Sequence, residues 1–343
     1  MTTDLVIKRF DPYRASEAEF VAYHTVMAAS QEADRPGEPA LPLDELIGRL
    51  KKPLPGMGTT AFWVGCRGHD VVSLAQVYFL EEENSGIGLT EIMVRPDHRR
   101  VGHGTAMLRA VLPDLRAQGR RVVERWQVVA GTAGQWWAEA LGFRQVRTII
   151  RQALVIGEVD RSLWEVEVPA GYRLHRWVGV APEGLVDSYA VARGAIHDAP
   201  LGESDYRWPE WTPARVRAAE AEDRLQGLEQ HVVVAVHEAT GAVAGLTEVC
   251  VHPRRPDWGY QRDTAVPAAH RGRGLGRCLK AHMLRQLVAE RPALEWISTT
   301  TGAENAHMIR VNHEIGFTTL RNMLAVQQDL AAVEAGELRS GLR

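Results

Sequence analysis

Two short stretches carry the chemistry that can be read first: Arg271-Gly272-Arg273-Gly274-Leu275-Gly276 and Arg99-Arg100-Val101-Gly102-His103-Gly104. Each reads as a strand, a tight turn and the start of a helix, since β-branched residues precede it and an apolar stripe at helical spacing follows. Glycine lets the backbone turn sharply and approach a ligand closely. The first N–H groups of a helix have no partner within it and point outward, where they suit an anion. With the arginines adding positive charge, a di- or pyrophosphate is the expected ligand. No Gly-Lys-Ser/Thr follows, so this is not a P-loop. Gly274-x-Gly276 also lacks the third spaced glycine of a dinucleotide fingerprint.

The elements that must position these turns occur twice. Val94/Val266, His98/His270, Arg99/Arg271, Gly102/Gly274 and Gly104/Gly276 all differ by 172, and Gly142-Phe143 and Gly316-Phe317 differ by 174. In the second copy, His231 to Val236 and Val243 to Val251 read as a hairpin and Asp263 to Val266 as the end of a third strand. Leu275, Leu279, Met283 and Leu287 mark a helix. A strand from Trp296 to Thr299, a helix from Asn305 to Ile315 and a closing strand from Phe317 to Val326 complete it. The first copy runs in parallel: a hairpin of 60–66 and 71–80, a strand 91–94, a helix from Gly102, a strand 122–129 and a helix 136–141. Pro113 should kink or shorten the first of those helices.

The whole chain fits this duplication. Its 343 residues suit two domains, expected at 1–157 and 169–343 with a linker over 158–168. With 45% apolar and 24% charged residues, the chain is that of a soluble globular protein able to bury cores. A net charge of -3 gives no footprint for nucleic acid or an anionic membrane surface. The positive charge is nearly all arginine, with only Lys8, Lys51, Lys52 and Lys280 as lysines. Cys66, Cys250 and Cys278 have neither metal-ligand nor disulfide spacing. No stretch reads as a signal peptide or a membrane span. The expectation is a cytoplasmic protein without a metal, monomeric or homodimeric.

The motif Arg/Gln-x-x-Gly-x-Gly/Ala, followed by an Asn that opens a helix ending in Gly-Phe, resembles the GNAT superfamily of acyl-CoA-dependent N-acyltransferases. The subgroup it resembles is the tandem, two-domain actinobacterial type with a mycothiol-synthase-like architecture. The resemblance implies two tandem α/β (α+β) domains, each a mixed, largely antiparallel sheet flanked by helices. It also implies acetyl-CoA or another acyl-CoA as co-substrate. The coenzyme A contacts would come from Arg271, Gly272, Arg273, Gly274, Leu275, Gly276 and Asn305, with Arg99, Gly102 and Gly104 as their counterparts. Backbone amides near Ala265 and Val266 would stabilise the oxyanion.

The copies are not equal. Asn305 has Gly131 as its counterpart, with no side chain to anchor the pantetheine arm. Where many relatives place a Tyr general acid, this chain has Asn312 and Ala138, and neither can protonate a thiolate. The second copy is therefore expected to be active, with the first supporting or degenerate. Asp263, equivalent to Glu91, stands on the strand that leads into the loop and is the candidate base, with Glu248 as rival. His98 and His270 read as loop-packing residues. Between two helices, Asp198, Trp208 and Trp211, with Glu203 and Asp205, would form an aromatic, acidic wall for a cationic amine.

The resulting expectation is acetyl transfer from acetyl-CoA to a primary amine of a small molecule by direct attack. The alternatives are a non-catalytic acyl-CoA-binding regulatory or partner-binding module, a larger acyl donor, or a protein acceptor.

Overall fold

The computed structural model describes residues 4–52 and 55–340. The chain ends at Met1–Thr3 and Gly341–Arg343 lie outside the described residues, as does the Pro53–Leu54 pair. In chain order, the first repeat forms β1 (Leu5–Phe10), α1 (Glu17–Asp34), α2 (Leu43–Lys51), β2 (Thr59–Arg67) and β3 (Asp70–Phe79). It continues with β4 (Ile87–Val94), α3 (His103–Ala117), β5 (Val122–Val129), α4 (Ala133–Ala140) and β6 (Arg144–Val155). The second forms β7 (Tyr172–Val178), α5 (Glu183–Gly194), α6 (Pro213–Gln226), β8 (Glu229–His237), β9 (Val243–His252) and β10 (Arg255–Ala265). After these come α7 (Leu275–Glu290), β11 (Trp296–Gly302), α8 (Ala306–Glu314), β12 (Thr318–Asp329) and α9 (Leu330–Ser340).

The compact units do not follow the linear division expected from the repeats. One comprises residues 1–147, 203–207 and 323–343, the other 148–202 and 208–322. The reason is strand pairing. In the first unit β12 lies antiparallel on β5, Leu324 opposite Val128. In the second, β6 lies antiparallel on β11, Ile297 opposite Leu154. Each repeat thus gives its last strand to the other unit's sheet. The expected linker is packed as well: Trp164 is buried in the second unit and donates Nε1–H to the Ile315 carbonyl at 2.9 Å.

In the first unit, α3 lays Met107, Leu108, Val111 and Leu115 against Ala75 and Val77 of β3. This helix runs unshortened through Pro113. Five of its residues from Met107 to Leu115 are buried on one face, and at 1.5–3 kcal/mol per large apolar side chain that outweighs the roughly 3 kcal/mol cost of an interior proline. In the second unit the equivalent α7 packs Leu275, Leu279, Met283 and Leu287 onto Val233, Ala235 and Val249.

One pair of strands in each unit is parallel and short. β4 meets β5 only from Ile87–Val122 to Leu89–Glu124. β10 meets β11 only from Trp258–Trp296 to Tyr260–Ser298. Beyond those residues the strands part, leaving an unpaired strand edge beside each glycine turn.

Candidate active site

The second unit's glycine turn has the backbone an anion site requires. Gly272 (φ +74°) and Gly274 (φ +76°) are both left-handed, a region costly for any other residue. Gly274 caps α7, whose first bond runs from Cys278 N–H to the Gly274 carbonyl at 3.0 Å. The N–H groups of Leu275, Gly276 and Arg277 therefore stand ahead of the helical ladder. A Cβ built at Gly272, Gly274 or Gly276 would meet nothing within 4 Å, so the backbone is open to a ligand there. These residues fit a coenzyme A pyrophosphate. Leu275 points the other way, into the core.

Arg271 does not present its charge as expected. Its Nε donates to the Val266 carbonyl at 2.9 Å and its terminal nitrogen to the Asp198 carboxylate. Arg99 repeats the arrangement, with Nε on the Val94 carbonyl at 2.9 Å and two 2.8 Å bonds to Asp34. The motif arginine is thus a brace that ties the turn to the strand before it. Arg273 lies 6.0 Å over the Tyr172 ring. His270 hydrogen-bonds the Tyr172 hydroxyl through Nδ1 at 2.9 Å. Asn305 caps α8, its side chain accepting from Met308 N–H at 3.1 Å.

The first unit's turn is altered in three ways. Arg100, not glycine, takes the left-handed position at φ +65°. The Trp137 ring stands 3.5 Å from where a Gly104 Cβ would be, and its Nε1–H donates to the Thr105 hydroxyl at 3.1 Å. Arg125 and Glu91 form an ion pair between β5 and β4 just past the point where those strands part.

The acid candidates separate on a β-bulge. In the second unit Gln261 pairs with Val249 and Thr264 with Thr247, so two residues, Arg262 and Asp263, oppose Glu248 alone. Bulges of this kind re-aim side chains. In the first unit, β3 and β4 run without a shift from Ser73–Val94 to Phe79–Gly88. The bulge lies just past the parting of β10 from β11, and the Asp263 side chain keeps 31% of its surface exposed. Glu248 keeps none.

Three groups enclose the Glu248 carboxylate. The Tyr189 hydroxyl donates to it at 2.5 Å and the Gln230 amide at 3.1 Å, while the Arg193 guanidinium lies 3.4 Å away. Arg193 also reaches Asp263 at 3.7 Å, and the Trp211 ring centroid is 3.3 Å from it. Arg262 is held by Asp223 through bonds of 2.7 and 2.8 Å. Burial, and then the Glu248 carboxylate, push the Asp263 pKa up, and Arg193 and Arg262 pull it part of the way back. Burial opposes the Arg193 charge, yet Glu248 and its neighbours hold that guanidinium above its ordinary range.

The expected acceptor wall is engaged internally. Asp198 pairs with Arg271, Trp211 is covered by Arg193, and Trp208 donates to the Ala199 carbonyl at 3.2 Å. Glu203 and Asp205 belong to the first unit, where Gln327 holds Asp205 at 2.8 Å. Asn312 is buried, its amide donating to Gln152 at 2.8 Å. Tyr189 and Arg193 were missed from sequence. Their spacing of four on one helix face was the available signal.

Both units have an unpaired strand edge beside a glycine turn, and in the second unit the helix start beside it is open to a ligand. The sequence model of the acetyltransferase (GNAT) family matches residues 24–143 and 199–317, and the chain belongs to that family as a tandem GNAT acetyltransferase. It is similar to the mycothiol acetyltransferase of Saccharomonospora viridis, 28% identical over 68% of this chain and 72% of the relative. The Mycobacterium avium mycothiol acetyltransferase is 27% identical over 67% and 71%. Among solved structures, a tandem GNAT protein from the clavulanic acid biosynthesis pathway superimposes with TM-score 0.77 at 22% identity, covering 95% of this chain and 98% of that one. An N-acetyltransferase from Sphaerobacter thermophilus gives 0.72 at 17% identity over 96% and 97%. Among the described residues there is no candidate metal cluster and no helix long and apolar enough to cross a membrane.

Proposed function

We propose that the second unit transfers the acetyl group of acetyl-CoA to a primary amine of a small molecule by direct attack, with Asp263 as the base. The observation that carries this reading is the bulge that turns Asp263 toward solvent at the parting of β10 and β11, beside the open glycine turn. Residues 272–277 would hold the cofactor phosphates through backbone N–H groups. The names of the relatives support acetyl as the group transferred.

An alkylamine with an ordinary pKa near 10.4 is protonated at pH 7, and deprotonating it costs about 4.6 kcal/mol. The carboxylate of Asp263 takes that proton. The C–N bond then forms as the C–S bond breaks, and the second proton that nitrogen sheds on becoming an amide neutralises the departing thiolate. A thiol pKa near 8.5 makes the thiolate a tolerable leaving group without a hydroxyl acid at Asn312.

Asp263→Asn tests the assignment. A positioned base is worth about 100-fold to 10,000-fold. The variant should keep its fold and bind acetyl-CoA while losing at least ~100-fold in turnover, with partial rescue as pH rises. A loss below about fivefold with unchanged pH dependence would sink the role. Asn312, buried where a tyrosine acid would stand, favours a second reading as an acyl-CoA-binding module. Cofactor binding with no thioester consumption across a panel of amines would establish that reading instead.

A further inference from the structure

We propose that Arg193 and Glu248 are positioning residues that set the charge of Asp263, acting on the acceptor only through that carboxylate. The inference rests on the reading of Asp263 as the base and goes beyond it. Glu248 is completely buried, so its carboxylate does not face the space open to an acceptor. Its hydroxyl and amide donors fix the carboxylate in place, and Arg193 stands between it and Asp263. The Arg193 side chain is 7% exposed, its guanidinium 5.7 Å from the Tyr189 ring and 3.3 Å from that of Trp211. Those rings and Glu248 keep it from swinging into water.

The charged and titratable groups that face Asp263 can be named element by element. Arg193 and Tyr189 come from α5, Glu248 from β9, and Arg262 from β10 itself. Arg262 is committed to Asp223 of α6. The bulge makes the arrangement possible, because it sets two β10 side chains against the one carboxylate of Glu248. Continuing the Gln261–Val249 register without a shift would put Arg262 alone opposite Glu248 and Asp263 opposite Thr247. The cluster then holds three carboxylates, Glu248, Asp263 and Asp223, against two guanidiniums, Arg193 and Arg262. Asp263 is the member of this carboxylate pair that reaches solvent, where a cationic amine is the complementary acceptor.

The two neighbours act on Asp263 with opposite sign. Removing the Arg193 cation favours the protonated carboxyl, and removing the Glu248 anion favours the carboxylate. The test is the acid limb of the pH profile of kcat/KM, which reports the free enzyme's base. Relative to the unaltered protein, Arg193→Gln should move the limb up by about one unit or more, Glu248→Gln should move it down, and the double variant should return it toward the starting value. Arg193→Lys, which keeps a cation and serves if the glutamine variant does not fold, should leave the limb near its original place. Carboxylate titration of the apoprotein by 13C NMR should show the same opposite shifts without turnover. A common loss of activity or melting temperature with the midpoint fixed within about 0.3 unit, or shifts of the same sign, would overturn the inference. If Asp263→Asn leaves the limb in place, the base assignment itself fails. If it abolishes the limb while Arg193 and Glu248 variants leave the midpoint unmoved, only the present inference fails.

Discussion

Valine at Gly274 and at Gly102 makes a matched pair of perturbations, because both glycines are left-handed caps, at φ +76° and +89°, of equivalent helices. An L-residue in that region costs about 1–2 kcal/mol, which for a unit of roughly 150–250 residues lowers the melting temperature by about 2–8 °C. The two variants should lose similar stability. They should differ in their response to acetyl-CoA. A ligand that binds only the native state at 100 times its dissociation constant contributes about 2.7 kcal/mol, or a rise of about 5–10 °C. A Cβ at Gly274 meets nothing in the protein, so the valine projects into the open space where the phosphates would lie. Differential scanning fluorimetry with and without millimolar acetyl-CoA should show the rise in the unaltered protein and in Gly102→Val, and its loss in Gly274→Val. The reverse ranking would move the cofactor site to the first unit. No rise in the unaltered protein would count against cofactor binding in either.

Lys280 is buried on α7 against Phe317, and burial pushes its pKa down from 10.5 to about 7. Between about pH 7 and 10.5 the unfolded chain holds a proton the folded one lacks, so stability should rise with pH in that window and bear the full cost below it. Lys280→Leu, the residue at the matching position 108, should raise the melting temperature at pH 7 and flatten this dependence. Equal slopes for both proteins would refute the argument. Asn312→Ala orphans Gln152 and should cost about 1–3 kcal/mol of stability with kcat/KM within about fivefold. A loss near 100-fold would make Asn312 part of the chemistry. Asp223→Asn breaks a buried pair with Arg262 and should destabilise by about 3–5 kcal/mol in urea unfolding. A change under ~1 kcal/mol would class the pair with exposed ion pairs.

What local spacing encodes was legible in the amino-acid sequence. The left-handed caps of α3 and α7 fall on Gly102 and Gly274, the helices α7 and α8 follow their apolar stripe and Asn305 cap, and the hairpins follow their β-branched runs. The matching offset of 172 showed the duplication and the equivalence of Glu91 and Asp263, because repeated local chemistry survives as repeated letters. Other features depended on contacts far apart in the chain, and the structure alone decided them. Strand exchange put β12 on β5 and β6 on β11, a choice of partner that no strand's own pattern specifies. The buried side chains on α3 outweighed Pro113. The bulge opposite Glu248 separated a half-buried carboxylate from a sealed one, although Asp263 and Glu248 look alike as letters. Arg271 and Arg99 read as phosphate ligands by proximity to the glycines, but carboxylates 73 and 65 residues away claim their guanidiniums. Arg193 carried no motif. Its place between Glu248 and Asp263 arises because α5 packs across β9 and β10, and only packing brings one helix face to two different strands.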